Sequence, residues 1–156
     1  MEGTAYKPRE RNEETLWVDK KIIRFFRKTF NKANYKKLRN VYIAMIEIDS
    51  DFVEERESET KAIHNFTEKL CTYAGMDQGT VTPIARIIKT MGLVDYGIKK
   101  GTTGIIGSYL ILYEWEGEEY AINALIKENP YKGSPLDIKN ILTPVAARHW
   151  LNLMQK

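Results

Sequence analysis

The stretch Leu70–Val94, LCTYAGMDQGTVTPIARIIKTMGLV, decides the fold. A leucine-led helix ends on Ala74-Gly75, a small residue followed by the commonest helix stop. Asp77 stands where the next helix needs its N-cap. Val81, Ile84, Ala85, Ile88 and Met91 then recur at helical spacing. Gly92 stops this second helix, and Leu93-Val94 opens an apolar strand. Two short helices joined by so short a turn predict a helix-turn-helix, whose second helix has the dimensions to lie in a DNA major groove.

Pro83 falls several residues into a helix that begins at Asp77, where proline removes a hydrogen bond and strains the turn. Two registers follow. The helix starts later, with Thr82 as its cap, or its first turn is distorted. Arg86 faces solvent in both. Ile87 lies off the apolar stripe, a position suited to packing on a partner subunit or on the C-terminal tail.

Toward the N-terminus, Ile63 to Tyr73 reads as the first helix of the pair, with Phe66, Leu70 and Tyr73 facing inward. Tyr35 to Phe52 is an amphipathic helix with Leu38, Val41, Tyr42, Met45 and Ile48 on one stripe. Trp17 to Phe30 is another, carrying Val18, Ile22, Phe25, Phe26 and Phe30. Asn31 to Asn34 reads as a break, and Glu54 to Thr60 as a charged loop or helix fray. Residues 1–14 are polar, contain Pro8 and are expected to form a disordered arm without a secretory leader.

Toward the C-terminus, Leu93 to Ile98 and Ser108 to Trp115 read as two strands. The intervening KKGTTGIIG, residues 99–107, reads as a loop rich in glycine and base. It offers Lys99, Lys100, Thr102 and Thr103, with backbone N–H groups around Gly101 and Gly104, to a phosphate backbone. A helix is expected over Tyr120 to Lys127, a turn-rich linker over residues 129–135, and a helix over Leu136 to Met154 broken at Thr143-Pro144. That last segment is apolar enough to cap the core or to join two subunits. The echo of Val81-Thr82-Pro83 in Leu142-Thr143-Pro144 reflects shared capping chemistry, with threonine as cap and proline at the first helical position.

The chain of 156 residues carries a net charge of only +3, but unevenly. Lys20 to Ile46 holds nine basic residues and no acid; among them are Lys36, Lys37 and Arg39. Glu47 to Glu59 reverses this, with seven acids against Arg56 alone. A single-sign block attracts a polyanion more strongly than net charge suggests; its plain alternative is a solvated helix face. Cys71 is the only cysteine, which excludes an internal disulfide and suits a cytoplasmic setting. His64 and His149 have no metal-ligand spacing, so no metal is expected. No apolar run reaches membrane-spanning length. No phosphate-binding glycine loop, GxSxG or HExxH occurs, so neither an enzyme nor a cofactor is expected.

The order of these elements resembles the winged helix-turn-helix superfamily of prokaryotic, phage and plasmid DNA-binding proteins. The shared pattern is carried by Leu70, Gly75, Met76, Asp77, Thr80-Val81 and Gly92-Leu93-Val94, in continuous spacing. The likeness is strong over Leu70–Val94 and loose over residues 35–115. It implies that Gln78, Thr80, Thr82 and Arg86 face bases or nearby phosphates, and that Lys89 and the wing lysines contact the backbone.

The expected fold is therefore mostly α with a small β-hairpin wing: a winged helix-turn-helix over residues 15–128, with an added N-terminal basic helix and a C-terminal helical extension over residues 129–156. The expected function is sequence-preferring binding of double-stranded DNA, as a transcriptional regulator or in phage or plasmid replication or transfer. A homodimer is expected, joined through Trp17 to Phe30 or the C-terminal segment. The alternative is a winged helix used for protein contacts.

Overall fold

The computed structural model describes residues 18–154, so the arm expected over residues 1–14 lies outside the described residues. Asp19 caps α1 (Lys20–Thr29), its carboxylate accepting from the Lys21 N–H at 2.9 Å. Asn31 caps α2 (Lys32–Asp51) by accepting from the Asn34 N–H at 3.2 Å. The break between these helices is thus shorter than the expected Asn31 to Asn34, because one asparagine suffices as the cap. α2 is the central helix. Leu38, Val41, Tyr42, Ala44, Met45, Ile46, Ile48 and Asp49 are all buried, a face of more than half its circumference.

After a short acidic helix, α3 (Val53–Glu57), the chain crosses to the hairpin before it turns helical again. Ile63 is not helical, contrary to the expectation from its periodicity. Its N–H donates to the Ser108 carbonyl at 3.0 Å and its carbonyl accepts from the Ser108 N–H at 2.9 Å. Asn65, at a φ of 53°, then turns the chain into α4 (Phe66–Ala74), which ends on Gly75 at a φ of 70°.

α5 (Gln78–Thr90) begins at the Asp77 cap, where the carboxylate accepts from the Thr80 N–H at 2.9 Å. Pro83 lies inside it. The late start at Thr82 does not occur. The N–H missing at Pro83 would have bonded the carbonyl of Gly79, and Gly79 is exposed, so water can satisfy that group. Ile87 is only 1% exposed and belongs to the common core, covered within the chain.

β1 (Val94–Gly101) and β2 (Gly104–Leu112) form one antiparallel hairpin. The nine-residue loop expected over 99–107 is a turn of two residues, Thr102-Thr103, between paired Gly101 and Gly104. The hairpin's alternation is broken by a bulge: Lys99 pairs with Gly107 and Lys100 with Ile105. Three helices complete the chain, α6 (Glu118–Glu128), α7 (Ile138–Ile141) and α8 (Pro144–Met154). Thr143 caps α8, accepting from the Ala146 N–H at 3.1 Å, with Pro144 at the first helical position.

The C-terminal segment closes the core rather than standing apart. Asn31 donates to the Ile141 carbonyl at 2.9 Å and Thr143 to the Thr29 carbonyl at 2.9 Å. Ile138, Ile141, Leu142 and Ala146 join the same buried cluster as Ile22, Phe25 and Phe26. The apolar stripe of α1 is therefore used inside the chain and is not free for a second subunit. Among the described residues, no helix is long and apolar enough to cross a membrane.

Candidate functional site

α5 has two unlike faces. Val81, Ile84, Ala85, Ile87 and Ile88 point into the core. Gln78, Thr82, Arg86 and Lys89 are exposed and recur at helical intervals, so they form one stripe along the opposite face. The Arg86 guanidinium makes no hydrogen bond or ion pair among the described residues, so its charge and its donor fork are open to a ligand.

Two neighbours of this stripe are committed to the fold. Thr80 is half-buried, and its N–H and hydroxyl both serve Asp77, holding that carboxyl below its ordinary range. Lys89 Nζ donates to the Tyr96 carbonyl at 2.8 Å, pairs with Asp95 at 3.4 Å and lies 4.8 Å from the Tyr96 ring centroid. It fastens the end of α5 to β1.

Grooves flank the stripe at both ends. Near its start, Gln78 and Phe66 face Ile98, Ile105 and Ile106 of the hairpin across a cleft of about 680 Å³. Near its end, Thr82, Arg86 and Thr90 meet Tyr96, Glu128 and Tyr131 in a cleft of about 510 Å³. Glu128 brings an acid into the cleft that Arg86 lines, a feature the sequence reading did not anticipate. Burial pushes the Tyr96 hydroxyl up to about 12.

The hairpin divides its cations. Lys99 Nζ donates to the backbone carbonyls of Glu55 and Ser58, tying the strand to the end of α3. Lys100 is exposed beside the exposed turn residues Thr102 and Thr103. Ile98 and Ile105 are 61% and 66% exposed on the same hairpin, which sequence alternation alone did not single out.

The basic block stands elsewhere. Lys36 is exposed and Lys37 and Arg39 are half-buried in the first half of α2, next to α1. α4 meets the other end of α2, where Tyr73 donates to Asp51 at 2.7 Å and Lys69 lies over the Phe52 ring. Lys99 reaches α3, just beyond that same end. An α-helix rises about 1.5 Å per residue, so Lys36 and Phe52 lie about 24 Å apart along the axis. The structure thus does not join Lys36, Lys37 and Arg39 to the hairpin lysines in one continuous patch. Among the described residues, no three His, Cys, Asp or Glu side chains are grouped to hold a metal.

No protein-family model, curated protein or solved structure matches this chain.

Proposed function

We propose that this chain is a winged helix-turn-helix protein that binds double-stranded DNA with sequence preference. In this reading α4, the turn at Gly75 to Asp77 and α5 are the helix-turn-helix, and β1–β2 is the wing. The carrying observation is the solvent-facing stripe of α5, with Arg86 unpaired at its centre. Arginine presents a planar fork that matches the two acceptors of guanine in the major groove. Gln78 and Thr82 supply neutral hydrogen-bonding groups along the same face. At the wing tip, Lys100, Thr102 and Thr103 supply the backbone contacts that set orientation without reading sequence. Lys89, Lys99 and Thr80 hold α5 and the wing in place.

Fluorescence anisotropy with a random-sequence duplex, at low and moderate salt, tests this reading. The wild type should bind, and binding should weaken as salt rises. Arg86→Ala with Lys100→Ala should bind several-fold more weakly at low salt. A wild type without salt-dependent binding, or a variant that binds equally well, contradicts it.

Two observations favour a second reading, a winged helix used for protein contacts: Lys36, Lys37 and Arg39 stand apart from the hairpin lysines, and the hairpin exposes apolar side chains. Ile98 and Ile105 expose apolar surface on the wing where a phosphate-contacting surface would be polar. Under that reading the wild type shows no salt-dependent duplex binding, and Ile98→Ser with Ile105→Ser abolishes binding to a protein partner. A two-fold pair would double the DNA site.

A further inference from the structure

The corner between α1 and α2 gathers positive charge that mostly lacks an acid partner among the described residues. Arg27 and Arg39 place their guanidinium carbons 5.9 and 5.5 Å from the ring centroid of Tyr35. Arg39 Nη1 donates to the Tyr35 hydroxyl at 3.4 Å, and its Nε and Nη2 reach Asn40 Oδ1, both at 3.3 Å. Among the described residues, neither arginine has a carboxylate partner. Arg24, Lys32 and Lys36 are exposed around them. Lys28 is the exception in this region, neutralised by Glu118 at 2.7 Å.

Two guanidiniums on one tyrosine are like charges, and an anion bound by both lowers their mutual repulsion. The two guanidiniums, Arg27 above all, already draw the Tyr35 hydroxyl below its ordinary tyrosine range. An oxyanion with several acceptor oxygens fits the spare N–H donors of both forks. The apolar residues of α1, Ile22, Phe25, Phe26 and Phe30, are all buried. The corner therefore has charge but no exposed apolar face to insert into a bilayer, and a linear polyanion suits it better than a lipid surface. Its position toward the opposite end of α2 from α4 and Lys99 separates it from the wing.

We infer that the α1–α2 corner is a second binding site, for the phosphodiester backbone of a nucleic acid, with Arg27 and Arg39 gripping a phosphate beside Tyr35. It adds affinity and no sequence preference. The choice of polymer rests on the duplex reading of α5; the site itself does not.

The test measures affinity for a random-sequence duplex between about 50 and about 200 mM salt. Arg27→Ala with Arg39→Ala should lower the slope of log affinity against log salt by about one unit, since each lost phosphate contact removes about 0.9. Binding at moderate salt should fall about tenfold or more. Arg27→Lys with Arg39→Lys should keep the slope. Lys32→Glu with Lys36→Glu makes no partner lose a contact, so its equal or larger loss guards against a folding artefact. Preference among duplex sequences should be unchanged in all three. An unchanged slope in the alanine pair overturns the inference, as does wild-type binding to phosphatidylserine vesicles without binding to duplex. Arg86→Ala, measured alongside, separates the two claims. A corner loss with Arg86→Ala silent keeps this site and sinks the α5 reading; the reverse keeps α5 and sinks this site.

Discussion

Arg86 is solvent-facing because Ala85, Ile87 and Ile88 beside it are buried, which fixes the rotation of α5. Its exposure was legible from the sequence, since both registers allowed by Pro83 gave it. Its lack of a partner was not legible, nor was Glu128 nearby, because both depend on where α6 ends. A good bidentate contact is worth about 1–3 kcal/mol of base discrimination. Arg86→Ala should therefore flatten preference at one base pair by roughly five- to 150-fold, read by competition between matched and mismatched duplexes. The tyrosines offer an independent check on local geometry. In an absorbance titration Tyr35 should ionise first, below its usual 10, and Tyr35→Phe should remove that early phase. Tyr73 is pushed up to about 12, chiefly by its hydrogen bond to Asp51, and Tyr96 to about 12, chiefly by burial. For both, the folded state holds the proton more tightly than the unfolded chain. Their contribution to stability is complete below pH 10 and is lost as the pH rises from 10 toward 12.

At the scale of elements, the pair α4–α5 was readable because its signals are local: Gly75 to stop, Asp77 to cap, and an apolar stripe between. The hairpin was readable as two strands but not in its length. Its glycines imitate a loop, and the bulge beside Lys99 breaks the alternation that marks a strand. Ile63 was misplaced because an isolated bridge has no periodicity of its own. The two Thr-Pro pairs show the limit of capping chemistry. Thr143-Pro144 starts α8, whereas Thr82-Pro83 lies within α5, because Asp77 had already started that helix. Gly107 is the most sensitive point of the hairpin. At a φ of 147°, an added Cβ would meet the Ile63 carbonyl oxygen at 2.7 Å. Gly107→Ala should destabilise the fold by about 2 kcal/mol and loosen the Ile63–Ser108 bridge. Thermal unfolding and amide exchange at Ile63 would measure both, and a wild-type melting temperature with full protection would contradict the steric account.

At the scale of the molecule, the C-terminal segment belongs to the core, and a buried acid organises its approach. Asp137, 5% exposed, accepts from the Gly133 N–H at 2.7 Å and from Asn129 and the Lys139 N–H, both at 3.2 Å. The Gly133 contact is the main cause holding its carboxyl below the ordinary range, so its contribution is present above the unfolded value of 3.8 and is lost at lower pH. Removing an acceptor of several buried N–H donors costs about 2 kcal/mol, and Asp137→Ala should lower stability by about that much in a urea titration at neutral pH. Charge also divides at this scale: free cations lie on α5 and the hairpin tip, and a denser group lies at the α1–α2 corner. The sequence shows both groups, but only the folded course of α2 shows that they are apart. The proposed function rests on α5 reading duplex DNA. Selection of bound duplexes from a random-sequence pool tests it most directly, with wild type and Arg86→Ala run in parallel. The account predicts that wild type enriches a short motif containing a guanine and that Arg86→Ala loses enrichment at that position. A wild-type pool that stays random, or an identical motif from both proteins, would contradict it.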